Sequence, residues 1–170
     1  EEARRHHRPA RSASAGMTTG TGLELERKLF PVPAERRRLR VHVRVVEARG
    51  LMVGDYTGSS DPYCVVHAGE SHLRTPVRKR TLSPHWDADA VLDVPREGYP
   101  LSAVALHAVV FDWDLGSSDD FLGEVFVPLE RLEALAPGEA LDRWFRLTNK
   151  EGGTDSVSGS LRLGVRAGVD

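Results

Sequence analysis

Five aspartates lie in two segments that follow predicted strands, and their side chains are the best suited to chemistry in this sequence. The segments are GLMVGDYTGSSDPY (residues 50–63) and FDWDLGSSDDF (residues 111–121). The five are Asp55 and Asp61 in the first segment and Asp112, Asp114 and Asp120 in the second, where Asp119 lies beside the last of them. Calcium is a hard cation that takes about six to eight oxygen ligands, which carboxylates on two facing loops can supply.

The same aspartates have a second explanation, because Asp is common in turns, where its side chain caps a bend. For Asp61, which precedes Pro62, this structural explanation is especially simple. Against it, like charges packed together cost free energy unless a cation is present. The spacing alone therefore leaves open both a metal site and a set of turn caps.

Short alternating runs begin at Leu39 and would position these two segments. LRVHVRVVEA (residues 39–48) alternates apolar and polar side chains with period two, which predicts a half-buried strand. Further strands are predicted at residues 62–68, 72–78, 90–94, 103–111, 121–129, 143–147 and 160–166. Only residues 129–138 have a helical pattern. Eight short strands without a βαβ rhythm predict an all-β fold, an eight-stranded antiparallel Greek-key β-sandwich.

The chain has 170 residues, and its net charge of −2 conceals an asymmetry. Residues 1–40 carry ten Arg or Lys against five Glu, whereas residues 41–170 carry thirteen against twenty acidic side chains. Residues 1–22 hold almost no large apolar side chain, which predicts disorder. We therefore predict a basic, mostly disordered tail or linker at 1–38 and a folded domain at 39–168. So acidic a domain should repel nucleic acid and lipid phosphate unless a cation neutralises it.

Three motifs occur in the same order as landmarks of the C2 domain family. GLMVGDYTGSSDPYCVV resembles the family's first calcium loop, and RTPVRKRTLSPHWD resembles its basic strand and the turn after it. VVFDWDLGSSDDFLGEVFVPL resembles its third loop. The resemblance runs from Leu39 to Ala167, and it implies a C2-like sandwich. Because the first strong strand leads directly into the first loop and SGSLRLGVR lies at the far end, the order resembles the circularly permuted type II members.

The resemblance implies a site for two or three calcium ions. The side-chain ligands that it implies are Asp55, Asp61, Asp112, Asp114 and Asp120, with Ser117 as an occasional further ligand. The backbone carbonyl ligands that it implies are those of Gly54, Trp113 and Ser118. Asp119 matches no ligand position and is expected only to add negative charge.

The resemblance also implies docking on acidic phospholipids such as phosphatidylserine, because bound calcium inverts the charge of the loops. Side chains expected to insert among the headgroups are Tyr56, Trp113 and Leu115. For Trp113, packing against the base of the loop is the alternative. A second contact, with phosphoinositide headgroups, is expected at Arg74, Arg78, Lys79 and Arg80. A solvated strand face explains these basic residues as well.

No G-x-S-x-G, Walker loop, H-E-x-x-H or dinucleotide-binding glycine pattern is present, so we do not expect an enzyme. The single cysteine, Cys64, fits a reducing compartment, and no run of eighteen apolar residues predicts a membrane span. We therefore expect a cytoplasmic protein that is recruited peripherally to membranes. The leading prediction is a calcium-dependent lipid-binding module with no nucleic-acid partner. The alternatives are a protein-interaction module and the targeting domain of a larger signalling enzyme.

Overall fold

The computed structural model describes residues 38–53, 58–95, 104–133, 135–136 and 138–168. All of them lie in one compact unit, Pro33–Asp170. The predicted tail or linker at residues 1–38 therefore lies outside the described residues, except for Arg38, which begins the first strand.

The described residues form eight β-strands and one short helix. In chain order they are β1 (Arg38–Arg49), β2 (Pro62–Ala68), β3 (Ser71–Arg74), β4 (His85–Pro95), β5 (Ala105–Asp112), β6 (Asp120–Pro128), α1 (Glu130–Glu133), β7 (Leu141–Arg146) and β8 (Ser160–Ala167). Within this described part, no helix has the length and apolar character needed to cross a membrane.

Two four-stranded sheets pack against each other to form a sandwich. One sheet has the order β4-β1-β8-β7 and the other β3-β2-β5-β6, and all pairings within them are antiparallel. The predicted eight-stranded antiparallel β-sandwich is therefore confirmed. The last strand, β8, lies between β1 and β7. The type II assignment stays a prediction, because residues 1–37 lie outside the described part.

The core lies between the sheets and uses alternate residues of their strands. In β1, Val41, Val43 and Val45 are at most 1% exposed, because successive side chains of a strand point to opposite faces. In the facing sheet, Cys64 and Val66 of β2 are fully buried. Burial raises the pKa of the Cys64 thiol, which therefore stays protonated and acts as a small apolar side chain.

Three elements differ most in length from their predictions. The strand predicted at residues 72–78 ends at Arg74, two residues before Pro76, which has no N–H to offer a neighbouring strand. The strand predicted at residues 90–94 begins earlier, at His85, because the small alanines of HWDADA gave a weak apolar signal. Within the described residues, the helix predicted at residues 129–138 is limited to α1, since a single turn makes too few internal hydrogen bonds to extend by itself.

Candidate metal centre

Strand register brings three of the predicted calcium ligands to one end of the β3-β2-β5-β6 sheet. Asp112, the last residue of β5, pairs with Asp120, the first residue of β6. On its other side Asp112 pairs with Pro62, the residue that follows Asp61. Directly opposed residues of antiparallel strands have Cβ atoms about 4.5–5.5 Å apart. We call this end of the sheet, where Asp61, Asp112 and Asp120 meet, the aspartate end.

Backbone hydrogen bonds join the two aspartate segments. The Asp61 N–H donates to Oδ1 of Asp112 across 2.5 Å, although 51 residues separate the two positions. The Trp113 N–H in turn donates to the Asp61 carbonyl oxygen across 3.0 Å. Asp112 is only 1% exposed, and its carboxylate is thus held within the sheet end rather than on the surface. A buried carboxylate is costly unless hydrogen bonds or cations compensate it.

Asp61 is surrounded by positive groups from the basic segment between β3 and β4. Its Oδ2 lies 2.9 Å from Nζ of Lys79, and its Oδ1 accepts a 2.7 Å hydrogen bond from the Arg80 N–H. Arg80 has a φ of 52°, in the left-handed region that non-glycine residues seldom adopt. Burial by itself would raise the pKa of Asp61, but the Arg80 N–H and the Lys79 ammonium outweigh it and lower the pKa below its ordinary value. Asp61 is therefore ionised and already faces a cation.

Trp113 lies beneath the same lysine. The Lys79 Nζ is 3.5 Å from the centroid of the Trp113 ring, a cation–π contact. The ring is half-buried. The packing alternative for Trp113 thus has a physical basis, while its insertion into membranes stays a prediction.

Asp119 braces the third-loop segment, a role that the sequence did not suggest. Its Oδ2 accepts a 2.6 Å hydrogen bond from the Tyr63 hydroxyl, and its Oδ1 accepts one of 3.0 Å from the Asp114 N–H. These two bonds, the tyrosine's first, lower the pKa of Asp119 below its ordinary value. Burial, together with the Asp119 hydrogen bond, raises the pKa of Tyr63 to about 12. Tyr63 lies 56 residues away along the chain, so no local pattern could have indicated this bond.

The tip of the third-loop segment is exposed. Leu115 is 88% exposed, and Gly116 beside it has a φ of 86°, a left-handed conformation that glycine adopts without strain. Ser117 and Ser118 are also exposed. An apolar side chain is thereby presented at the same end of the sandwich as the aspartates.

Three predicted site residues lie outside the described part of the chain. They are Gly54, Asp55 and Tyr56. The ligand roles of Gly54 and Asp55 and the insertion of Tyr56 therefore stay predictions.

The basic residues predicted to contact phosphoinositides are all exposed, and three of their side chains contact the sandwich itself. The Arg74 guanidinium lies 4.3 Å from the centroid of the Tyr63 ring. The Arg78 Nε donates a 2.8 Å hydrogen bond to the His85 carbonyl oxygen, and Lys79 contacts Asp61. Headgroup binding by Arg74, Arg78, Lys79 and Arg80 stays a prediction.

The residue types at the aspartate end fit calcium. Carboxylate oxygens are the ligands that this hard cation prefers. Four predicted carboxylate ligands lie within the described residues: Asp61, Asp112, Asp114 and Asp120. As their side chains stand, no group of three or more His, Cys, Asp or Glu in the described part is arranged to hold a metal ion. Asp61 is instead engaged by Lys79 and Arg80.

The model of the C2 domain family matches residues 39–147, which include all three sequence motifs. The chain belongs to the C2 domain family. C2 domains commonly bind calcium and membranes, so the family agrees with the type of site that the aspartate residues indicate.

The curated relatives of this C2 domain are much longer proteins. It is 39% identical over 139 residues to RasGAP-activating-like protein 1 of Mus musculus, covering 81% of this chain and 16% of that protein. It is 32% identical over 130 residues to a probable serine/threonine-protein kinase of Dictyostelium discoideum, covering 76% of this chain and 13% of that protein. The chain thus spans less than a fifth of the length of both relatives.

Solved structures of C2 domains share the fold. A calcium-bound pair of C2 domains from Extended-Synaptotagmin 2 matches with a TM-score of 0.62 and 30% identity, covering 81% of this chain and 47% of that one. A C2 domain of plant Extended Synaptotagmin 1 matches with a TM-score of 0.64 and 23% identity, covering 78% of this chain and 97% of that one. The second likeness supports the fold alone.

Proposed function

We propose that this C2 domain binds acidic phospholipid membranes, such as those containing phosphatidylserine, in a calcium-dependent manner. The observation that carries the proposal is the register of β2, β5 and β6. It brings Asp112 of β5, Asp120 of β6 and Asp61, which immediately precedes β2, to one end of a sheet. Carboxylates that meet at one end repel one another and repel anionic lipid, and a divalent cation removes both repulsions.

The residues that would hold calcium are the aspartates of both segments. They are Asp55, Asp61, Asp112, Asp114 and Asp120. Bound calcium would supply positive charge where the apo domain has negative charge. The chain contributes the positioning: Asp112 is fixed by the Asp61 N–H, and the backbone at Asp114 is fixed by Asp119.

In the calcium-free domain, Lys79 would provide the positive charge beside Asp61 that calcium provides when it is bound. Its ammonium occupies the vicinity of Asp61 Oδ2 and covers the Trp113 ring. Because Lys79 is 54% exposed on its side chain, it can turn to solvent at small cost when a stronger cation reaches Asp61. Lys79 would then face an anionic surface docked at the aspartate end.

Leu115 supports membrane docking at the same end. Its 88% exposure is the highest among the exposed large hydrophobic side chains of the described residues. An apolar side chain at a loop tip gains free energy when it enters the headgroup–acyl boundary. The membrane association expected is peripheral, through loops and electrostatics.

A role as the membrane-targeting part of a longer signalling protein follows from the same proposal. Its support is that eight curated relatives, among them Ras GTPase-activating proteins, are matched over only 8% to 17% of their lengths. In such a protein this domain would bring an activity located elsewhere to the membrane.

Co-sedimentation with phosphatidylserine vesicles tests the proposal. The native chain and the variant Asp112→Asn/Asp114→Asn are compared in calcium, in magnesium and in a calcium chelator, with phosphatidylcholine vesicles as the lipid control. We expect the native chain to sediment only with phosphatidylserine and calcium, and the variant to remain in the supernatant.

A matched variant separates site chemistry from net charge. Asp87→Asn/Asp89→Asn also removes two negative charges, but from exposed positions of β4. This variant should sediment like the native chain. Two results would show that the aspartate end is not a calcium-dependent lipid site. One is an equal loss of vesicle binding in both variants, and the other is vesicle binding by the native chain that is the same with and without calcium.

A further inference from the structure

Strand β4 lies at the edge of its sheet, and one side of its backbone has no neighbouring strand in the described part of the chain. Its 11 residues pair with β1 alone. In an antiparallel strand, the N–H and C=O groups of alternate residues point to opposite sides, so every second residue of β4 points them away from β1. Such groups can pair with another extended chain, which makes an exposed edge a binding site for peptides.

Side chains of the domain itself occupy this edge near both ends of β4. The Asp93 N–H donates to Oγ of Ser71 across 3.3 Å, and the Ser71 hydroxyl donates to the Asp93 carbonyl oxygen across 3.2 Å. At the start of the strand, the His85 carbonyl oxygen accepts a hydrogen bond from Nε of Arg78. Ser71 belongs to the other sheet, so the backbone groups of Asp93 point away from β1.

The part of the edge between these contacts is open. Asp89 and Val91 have the same phase along the strand as Asp93, so their N–H and C=O groups also point away from β1. Among the described residues, no backbone group pairs with them on that side. At Asp87 a φ of 53° interrupts the regular strand. We call the stretch Asp89–Val91 the open edge.

The side chains of the open edge define the chemistry of a partner. Asp89 is exposed, and its carboxylate has no hydrogen bond or ion pair with another described residue. Val91 is 48% exposed. Directly opposed side chains of an antiparallel pair lie about 4.5–5.5 Å apart on one face, where opposite charges attract. A partner strand therefore fits with a basic side chain opposite Asp89 and an apolar one opposite Val91.

We propose that the open edge binds an extended segment of a partner protein by antiparallel β-strand addition, and that this segment carries an apolar residue two positions before a Lys or Arg. The apolar residue comes first because the partner runs opposite to β4, and so meets Val91 before Asp89. Main-chain hydrogen bonds provide the affinity in this mode of recognition, and alternate side chains provide the specificity.

A second copy of this chain fits the open edge less well than a basic segment does. Asp87, Asp89 and Asp93 all lie on the exposed face of β4. Pairing two β4 edges would bring the acidic side chains of both strands onto one shared face, and like charges on opposed strands are destabilising. The Asp87 carboxylate is already paired with Arg44 across 2.6 Å, so Asp89 is the acidic group that a basic partner would meet.

The open edge is separate from the aspartate end. Asp89 pairs with Arg44, which lies five residues before Arg49, the last residue of β1 and the start of the chain that leads into the first aspartate segment. At about 3.3 Å per residue these five positions span roughly 16 Å. A peptide bound at the open edge therefore needs neither calcium nor lipid, and it leaves the aspartate end accessible.

NMR titration of the full chain with a synthetic peptide, in a calcium chelator, tests this site. The probe is the blocked pentapeptide TVTKT, whose valine and lysine would lie opposite Val91 and Asp89. We expect it to shift the amide resonances of these two residues and to slow their hydrogen exchange. The peptide TVTET should bind at least about fivefold more weakly, because it places like charges opposite each other. TVTKT methylated at the valine and lysine nitrogens should bind about tenfold more weakly, because it lacks the main-chain donors.

Two variants of the open edge separate main-chain pairing from charge. Val91→Pro removes only a donor that points away from β1, and proline is tolerated at such edge positions. It should weaken TVTKT binding about tenfold, whereas Val91→Thr, which keeps the N–H, should weaken it about twofold at most. Asp89→Lys should reverse the preference, so that TVTET binds more tightly than TVTKT.

The calcium-site variant Asp112→Asn/Asp114→Asn is the control for a basic peptide that is merely attracted to the aspartate end, and it should bind TVTKT like the native chain. The proposal is overturned if millimolar TVTKT shifts neither Asp89 nor Val91, or if the methylated peptide binds as well as its parent. It is also overturned if Asp89→Lys still prefers TVTKT, or if the calcium-site variant loses the binding.

Discussion

The ammonium of Lys79 lies 2.9 Å from Oδ2 of Asp61, so one of the predicted calcium ligands already has a cation of the chain beside it. The lysine side chain is 54% exposed and the aspartate side chain 17% exposed. This asymmetry means that the lysine can leave more easily than the aspartate can move. Lys79 therefore competes with calcium for the Asp61 carboxylate.

Replacing this lysine should separate calcium binding from lipid binding. In Lys79→Gln we expect calcium to bind two- to fivefold more tightly, because a partly exposed ion pair is worth about 0.2–1 kcal/mol. At saturating calcium the same variant should bind phosphatidylserine vesicles more weakly, since one cation near the surface is lost. Calorimetry and co-sedimentation measure the two effects. Arg131→Gln, on α1 beyond the opposite end of β6, is the control, and an equal response from both variants would contradict the role of Lys79.

The Asp119 brace should support both stability and calcium affinity. Asp119→Ala removes the hydrogen bonds from Tyr63 and from the Asp114 N–H. We expect the free energy of unfolding to fall by about 1.5 kcal/mol, the lower end for hydrogen bonds to a charged group. Calcium affinity should fall because the backbone at Asp114 is no longer fixed. Tyr63→Phe, which removes only one of the two bonds, should show a smaller loss in urea unfolding; no loss in either variant would show that the brace is unimportant.

Leu115 should contribute to membrane binding and to nothing else. Leu115→Ser should leave the free energy of unfolding within about 0.5 kcal/mol, as usual for an exposed position. Vesicle binding in calcium should weaken about fivefold, because partial burial of a leucine in lipid is worth about 1 kcal/mol. Val91→Ser changes another exposed hydrophobic side chain, 48% exposed on β4, and should have no effect on co-sedimentation. If both serine variants bind like the native chain, the tip does not enter the membrane.

His67 should make the stability of the metal-free domain depend on pH. Its pKa is lowered on folding by burial and by His107 and His72. The unfolded chain therefore takes up the proton first, near pH 6.5, and stability falls as pH decreases from there toward the lower folded pKa. Urea unfolding in a chelator between pH 7.5 and 5.5 should show this loss, and His67→Gln should reduce it. An unchanged pH profile in the variant would exclude His67 as its source.

The fold was accessible from the sequence because it follows from local alternation, whereas the convergence of the aspartates was expected from the resemblance to C2 domains. Leu106, Ala108 and Val110 are the fully buried apolar residues of β5, and Asp112 continues their phase. A D-x-D pair at the end of such a strand therefore has one carboxylate that points inward. The boundaries of the strands were less accessible where apolar side chains were small, as in β4.

The contacts that tune the site could not be predicted, since they join distant residues through strand register. Tyr63 and Asp119 are 56 residues apart, and Lys79 and Asp61 are 18 apart. Asp119 was consequently expected only to add negative charge, and Lys79 was assigned only to lipid. His67 and His107 show the same limit, because they become neighbours only through the pairing of β2 with β5.

Calcium affinity measured with and without phosphatidylserine vesicles tests the coupling between the aspartate end and the membrane most directly. Coupling between two ligands is reciprocal, so a lipid that calcium recruits must itself tighten calcium binding. We predict that calorimetry of the native chain will show calcium binding at least about fivefold more tightly with phosphatidylserine than with phosphatidylcholine. The same affinity with both lipids would contradict calcium-dependent membrane binding by this domain.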